Sequence, residues 1–73
     1  MTHDVIMFGK RAVPLENRAK APSSRSRLTN RLRDLSDDLD FRRRWKHVSY
    51  IELWSDAAIF RYDDGSKWYM NIS

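Results

Sequence analysis

The chain has 73 residues, no cysteine and a formal net charge of +4. This length suits one small domain, and the lack of cysteine excludes disulfides and cysteine-based metal sites. Twelve of the fourteen basic residues lie between Lys10 and Lys46, whereas residues 47–73 carry two basic and four acidic residues. Basic charge is therefore separated from the aromatic C-terminal third, which favours a binding protein with an anionic partner over a catalyst.

Residues 1–22 are predicted to form an N-terminal segment with a flexible, basic irregular arm. Gly9, Pro14 and Pro22 interrupt any periodic pattern of apolar residues. The apolar run at residues 5–8 fits a short strand or an ordered anchor, and residues 9–24 fit a segment that becomes ordered on binding. That run is too short for a signal peptide or a membrane span, so we expect a cytoplasmic protein with no membrane partner.

One or two helices are predicted over residues 24–46. An apolar side of the first helix is indicated by leucines at spacings of four, three and four: Leu28, Leu32, Leu35 and Leu39. Ser23 or Ser24 fits its N-cap. We favour a bend near Ser36, because the aspartates that follow it suit the start of a second helix and the cations of residues 42–46 suit its end.

The acidic turn between the two predicted helices is expected to interact with the cations that follow it. Asp38–Arg42 and Asp40–Arg44 have the i,i+4 spacing at which opposite charges attract on a helix. These pairs would neutralise part of the second basic cluster, while Trp45 is expected to lie in the core.

Three antiparallel strands are predicted over residues 48–72, since residues 48–54, 57–62 and 67–72 are rich in β-branched and aromatic side chains. Asp64-Gly65 is a strong hairpin signal. The predicted fold class is α+β: one or two N-terminal helices packed on a three-stranded antiparallel meander, preceded by the basic irregular arm. The folded domain is expected to span residues 23–73.

No arrangement of residues suggests catalysis. The two histidines, His3 and His47, are far apart in sequence and have no second ligand at helical spacing. The hydroxyl residues lack a G-x-S-x-G context, and two glycines cannot form a phosphate-binding loop. We therefore expect no enzyme activity, no catalytic residues, no metal site and no cofactor.

Two basic clusters are candidates for binding nucleic acid through phosphate contacts. The predicted RNA-binding residues are Arg25, Arg27, Arg31, Arg33, Arg42, Arg43, Arg44 and Lys46. A solvated helix surface, or a helix end matched to its dipole, explains the same residues without a ligand. A DNA-reading helix-turn-helix is disfavoured, because the N-terminus of its second helix would present Asp37, Asp38 and Asp40 to phosphates.

The aromatic side chains of the predicted sheet are too numerous for one buried face. Phe60 and Trp68 are expected in the core. Tyr50, Trp54 and Tyr69 are predicted to remain partly exposed and to bind a protein partner, because exposed aromatic residues concentrate at protein–protein interfaces.

The chain as a whole resembles small regulators that lytic phages encode and that bind the RNA polymerase of the bacterial host. The resemblance lies in the length, the arm Lys10-Arg11-Ala12-Val13-Pro14, the arginine-rich middle and the ending Asp63-Asp64-Gly65-Ser66-Lys67-Trp68-Tyr69-Met70. It implies a partner surface near the RNA exit channel that includes the N-terminus of the largest polymerase subunit. It also implies inhibition of initiation at host promoters, readthrough of intrinsic terminators, and the transcription factor NusA as a further partner, all in the bacterial host cytoplasm.

The charge pattern is compatible with this resemblance. Basic residues near an RNA exit channel could hold nascent RNA and oppose the folding of a terminator hairpin. The aromatic sheet would then contact the polymerase. The alternative is a small nucleic-acid-binding module without sequence specificity.

Overall fold

The computed structural model describes residues 4–73, which form one mixed β-sheet and two helices on one of its faces. The strands follow one another across the sheet in chain order, with β2 and β3 parallel and each other neighbouring pair antiparallel. The elements are β1 (Asp4–Phe8), β2 (Arg11–Asn17), α1 (Ser24–Asp34), α2 (Leu39–Trp45), β3 (Val48–Leu53), β4 (Ala57–Tyr62) and β5 (Lys67–Asn71).

The predicted fold class, a three-stranded meander preceded by an irregular arm, is wrong. Residues 4–17 form a β-hairpin, and its second strand joins the meander through parallel pairing of Leu15 with Ile51. The two helices therefore form the crossover between parallel strands β2 and β3 and do not precede the sheet. Gly9 allows the two-residue hairpin turn, because its φ of +63° is costly for other residues.

The strand β2 was not predicted because it contains Pro14, and a proline in a short apolar segment usually argues against a strand. The pair next to a two-residue turn, Phe8 with Arg11, is a hydrogen-bonded pair, and the pairs alternate from there. Val5 and Pro14 are consequently a non-hydrogen-bonded pair, so the missing N–H removes no bond to β1. Pairing between β2 and β3 begins one residue later, at Leu15.

Both helices bury their apolar residues against the sheet. Leu28 and Leu32 of α1 are buried, but Leu39 is 64% exposed, so the predicted leucine side of the helix does not continue into α2. The Asp38 carboxylate caps α2 by accepting the Phe41 N–H at 3.1 Å. This separate start directs Phe41 and Trp45 towards the sheet instead of Leu39.

The centre of the core is aromatic. Neighbouring rings lie with their centroids 5.1 Å to 6.3 Å apart, at mostly tilted or edge-to-face angles that favour attraction between rings. The cluster joins α2 to the first, fourth and fifth strands through Phe8, Phe41, Trp45, Phe60 and Trp68.

Arg11 fixes the hairpin to the end of α2. Its guanidinium donates to the carbonyl of Trp45 and, at 2.7 Å, to the carbonyl of Val48. Carbonyl groups at a helix C-terminus have no partner within the helix, and a cation there also interacts favourably with the helix dipole. Arg11 is thus a structural arginine within the segment that was predicted to be an irregular arm.

Candidate binding surfaces on the sheet and the helices

The sheet face opposite the helices is covered by no other element of residues 4–73. Because side chains alternate along a strand, this outer face receives Tyr50 and Glu52 from β3, and Trp54 follows at the end of that strand. Tyr69 of β5 lies on the same face, opposite Ile59. The three residues predicted to bind polymerase therefore share one face: Tyr69 is 61% exposed, Trp54 is 38% exposed and Tyr50 is partly buried.

Two ion pairs lie in the middle of the outer face. The parallel register sets Glu16 beside Glu52, and each carboxylate has its own arginine. The pair of Glu52 with Arg61 has a separation of 3.0 Å and is partly buried, whereas the pair of Glu16 with Arg18 is exposed. The hydrogen bond with Glu16 raises the pKa of Arg18 above its usual value. The charges at the centre of this face are therefore balanced.

Arg18 also determines how Trp54 is presented. The guanidinium carbon of Arg18 lies 5.6 Å from the centroid of the indole ring, which is cation–π distance. One side of the indole is thus held by Arg18, and this contact orients the exposed ring before any partner binds.

The exposed apolar surface of the sheet extends to β1, which the sequence analysis did not include among the binding residues. Val5 is 40% exposed and Met7 is 61% exposed, and both lie on the outer face because Ile6 between them is buried. The alternation of exposed and buried apolar residues in β1 was the available signal, but four residues were too few to distinguish a strand from an anchor.

On the helix side, Arg25 has a structural role that the sequence analysis did not predict. It binds both carboxylate oxygens of Asp4, at 3.0 Å and 2.8 Å, and donates to the carbonyl of Val5 at 2.7 Å. These hydrogen bonds lower the pKa of Asp4 and raise the pKa of Arg25. Arg25 therefore connects α1 to the first strand and is less available to a ligand than the other arginines of α1.

A basic hollow of about 490 Å³ lies between the hairpin turn and α2. Phe8, Leu39 and Trp45 contribute its apolar lining, and no carboxylate lines it. The cations around it are Lys10, Arg11, Arg42, Arg43 and Lys46. Lys10 was missed by the sequence analysis, because the turn that places it beside α2 was interpreted as part of the irregular arm.

The predicted neutralisation of this cluster by aspartates does not occur among the described residues. Neither Asp38 with Arg42 nor Asp40 with Arg44 is among the four ion pairs within residues 4–73. The carboxylate of Asp38 is used to cap α2 instead. Arg42, Arg43 and Lys46 therefore keep their charge available for an anion. Trp45 lines the same hollow, and its buried Nε1 has no hydrogen-bond partner in the described part of the chain.

Arg44 lies apart from these cations, beside the turn between β4 and β5. It lines a shallow pocket with Tyr62 and His47, and its charge partly offsets the rise in the pKa of Tyr62 that burial causes. The eight predicted RNA-binding residues consequently do not form one continuous cluster. Arg27 and Arg31 are exposed on α1, and Arg42, Arg43 and Lys46 lie near Lys10. Arg25 and Arg33 lie with Arg42 beside β1, and Arg44 is separate.

No family model, curated protein or solved structure was found to match this chain. The resemblance to phage regulators of RNA polymerase therefore remains a prediction from the sequence. None of the described helices has the length and apolar character required to cross a membrane. Within residues 4–73, no group of three or more histidine, aspartate or glutamate side chains is placed to hold a metal ion.

Proposed function

We propose that this chain is a non-enzymatic adaptor, encoded by a lytic phage, that binds the RNA polymerase of a bacterial host. The proposed result of binding is inhibition of initiation at host promoters and readthrough of intrinsic terminators. The observation that carries the proposal is the separation of two surfaces. Exposed aromatic residues lie on the outer face of the sheet, and the helices at the opposite side present cations that make no ion pair within residues 4–73.

Each surface suits a different contact. Tyr69 and Trp54 offer large, exposed aromatic side chains of the kind that dominate protein interfaces, and Arg18 orients Trp54. The cations of α1 and α2 can bind phosphate through contacts that do not depend on sequence. We propose that the outer face contacts the largest polymerase subunit near the RNA exit channel, and that the helices hold nascent RNA. NusA would be a further partner.

Capture of polymerase tests the protein contact. The tagged chain is used to purify partners from a nuclease-treated bacterial lysate, and we expect polymerase to be recovered in stoichiometric amount. Tyr69→Ser should reduce the recovery about tenfold, since an aromatic residue at the centre of an interface commonly contributes 2 kcal/mol or more in an alanine scan, about thirtyfold in affinity. The matched control is Leu39→Ser, because Leu39 is 64% exposed on the helix side and Tyr69 is 61% exposed. Equal recovery with the two variants would refute the assignment of the surfaces.

Transcription with purified polymerase tests the RNA contact. A variant in which Arg27, Arg31 and Arg33 are glutamine should keep polymerase binding and lose most of the readthrough at an intrinsic terminator. Arg25 is left unchanged because it holds Asp4. Lys20→Gln, which removes an exposed cation outside the helices and the strands, is the control. Readthrough that persists in the arginine variant would show that these cations do not act on RNA.

A second candidate is a nucleic-acid-binding module without sequence specificity. The basic hollow favours it, because four exposed cations (Lys10, Arg42, Arg43 and Lys46) surround an apolar lining that contains no carboxylate. Four phosphate contacts to single-stranded RNA predict a slope of about −2.8 for the logarithm of affinity against the logarithm of salt concentration. Tight binding to bare RNA with this slope, and no recovery of polymerase, would favour the module over the adaptor.

A further inference from the structure

A groove of about 600 Å³ runs along the free edge of β1. Residues 5–9 form one wall, and Thr29, Leu32 and Arg33 of α1 contribute to the other. Because β1 is the first strand of the sheet, this edge has no neighbouring strand among the described residues. A strand edge beside a helix is a geometry in which a domain can bind an extended peptide as an added strand.

The hairpin register determines which backbone groups face the groove. Phe8 pairs with Arg11 next to the two-residue turn, so Ile6 and Asp4 also exchange hydrogen bonds with β2. Val5 and Met7 lie between these pairs and direct their N–H and C=O groups away from β2. The guanidinium of Arg25 meets the Val5 carbonyl from that side, at 2.7 Å. The N–H and C=O of Met7 and the N–H of Val5 are therefore placed to pair with an added strand.

Arg25 covers the edge at Val5, but the edge around Met7 lacks the usual protection against pairing. Sheet edges are commonly protected by lysine, proline or a bulge. The first strand has the sequence Asp-Val-Ile-Met-Phe, its pairing with β2 is regular, and its Val5 and Met7 side chains are 40% and 61% exposed. A partner strand would cover these two apolar side chains.

The charge of the groove indicates the chemistry of the partner. Arg25, Arg33 and Arg42 line it against a single lining carboxylate, that of Asp37. Arg33 and Arg42 take part in none of the ion pairs within the described residues, whereas Arg25 is paired with Asp4. Arginine binds carboxylates through strong, charge-assisted hydrogen bonds. The groove therefore complements an acidic chain.

We propose that the edge groove of β1 binds an extended acidic peptide segment of a partner protein, which is added to the sheet next to β1. Side chains alternate along such a strand, so its carboxylates would face Arg33 and Arg42 while its apolar residues extend the patch formed by Val5 and Met7. This site borders the outer face at Val5 and Met7 and shares Phe8, Gly9 and Arg42 with the basic hollow, but the open backbone edge of β1 belongs to neither of those surfaces. It would stand even if the partner of the proposed function were another protein.

Two other occupants fit the groove less well. A second copy of the chain, paired edge to edge, would bring Arg33 and Arg42 of both copies towards one another, and like charges in close contact disfavour association. RNA would satisfy the arginines but has no peptide backbone to pair with Met7. An acidic peptide satisfies both the charges and the open edge.

Short synthetic peptides of alternating valine and glutamate are the probes, with lysine replacing glutamate in the matched control. Binding is followed by NMR of the nitrogen-15-labelled chain, together with hydrogen exchange of individual amides. We expect the amides of Val5 and Met7 to exchange at least about tenfold more slowly when the acidic peptide is bound. The lysine peptide should bind at least about tenfold more weakly. The backbone nitrogens of the acidic peptide can be methylated at every second residue, in either of two patterns. The pattern that removes the N–H groups facing β1 should abolish binding, and the other pattern should leave it unchanged.

Variants of the chain locate the site. Arg33→Glu with Arg42→Glu should weaken binding of the acidic peptide by at least about tenfold. Arg27→Glu with Arg31→Glu reverses two exposed arginines of α1 that lie outside the groove lining, so it is the matched control and should change the binding little. Met7→Pro removes one free-edge N–H without removing a bond to β2, so the chain should fold and lose the peptide. If that variant does not fold, the double arginine variant and the methylated peptides still test the site.

The competing outcomes are distinguishable. The proposal is overturned if no acidic peptide binds at millimolar concentration. It is also overturned if the affected amides belong to β3 or β5, which carry the exposed aromatic residues, instead of β1. Sedimentation that shows a dimer whose Met7 amide is protected would assign the groove to a second copy. An RNA oligonucleotide that displaces the acidic peptide from the groove and protects the same amides would assign it to RNA. Loss of polymerase recovery with peptide binding intact would refute the proposed function alone.

Discussion

Arg11 should contribute more to stability than any exposed cation of the chain, because it joins the hairpin to the end of α2. We consider Arg11→Met, which keeps most of the apolar stem and removes the guanidinium. The change leaves the carbonyls of Trp45 and Val48 without their donor. A hydrogen bond to a charged group contributes about 1.5–3 kcal/mol. The site is only partly buried, so water can replace part of the loss, and we expect about 2–4 kcal/mol of destabilisation.

This loss is large for a chain of this size. A stability of roughly 0.05–0.15 kcal/mol per residue corresponds to about 4–11 kcal/mol for the whole domain. Thermal unfolding followed by circular dichroism should show a Tm at least about 8 °C lower, since 1 kcal/mol shifts the Tm of a domain this small by about 4–8 °C. Arg11→Lys should recover only part of the loss, because one ammonium group does not reproduce the guanidinium fork that reaches both carbonyls.

Lys10→Met is the matched control for Arg11→Met. Lys10 is the adjacent residue, carries the same charge and is exposed in the hairpin turn. Its replacement should change the free energy of unfolding by no more than about 0.5 kcal/mol, as is usual for surface substitutions. If the two variants unfold at the same temperature, the carbonyl contacts of Arg11 contribute nothing, and another interaction must hold the hairpin.

Three further changes test the fold. Gly9→Ala should cost about 1–2 kcal/mol in urea unfolding because of the positive φ alone, since a Cβ there meets nothing within 4 Å, and Gly9→Asn should cost less. The pKa of Asp4 is lower in the folded chain than its ordinary value of 3.8. The ion pair with Arg25 therefore contributes its full stabilisation of the fold at pH values above 3.8, and this contribution is lost as the pH falls below that value and Asp4 becomes protonated. Asp4→Asn should therefore lower stability by at most about 1 kcal/mol at pH 6, and the difference from the wild-type chain should disappear near pH 2; a difference that grows on acidification would contradict the pairing. Leu28→Ala should cost about 2–5 kcal/mol, measured by the same unfolding, because Leu28 is fully buried.

The C-terminal half of the fold was accessible from sequence because its signals are local. The strands β3, β4 and β5 have β-branched and aromatic residues, and the turn at Asp64-Gly65 separates the last two. Two helices were favoured on the basis of the change in charge around Ser36, and the structure has a break there. In each case a residue and its near neighbours in sequence contain the information.

The N-terminal hairpin was not accessible, because its strongest constraint is not local. Pairing of β2 with β3 joins residues 36 positions apart in sequence, such as Leu15 and Ile51. Pro14 is compatible with a strand only where its backbone nitrogen is not required to donate a hydrogen bond to a neighbouring strand. The hairpin register decides whether that condition is met. Once residues 1–22 were interpreted as an arm, Lys10, Val5 and Met7 could not be assigned to any binding surface.

The sequence alone does not distinguish arginines that stabilise the fold from arginines that are free to bind a partner. Their contacts in the structure do distinguish them. Arg11 and Arg25 each bind carbonyl oxygens of the chain itself, and both hold the N-terminal hairpin against the helices. Arg33, Arg42 and Arg43 make no ion pair within the described residues, although charged partners lie nearby in sequence. Replacing an arginine of the first group should therefore change stability and binding together. Replacing one of the second group should change binding alone, and unfolding measurements made beside each binding assay distinguish the two.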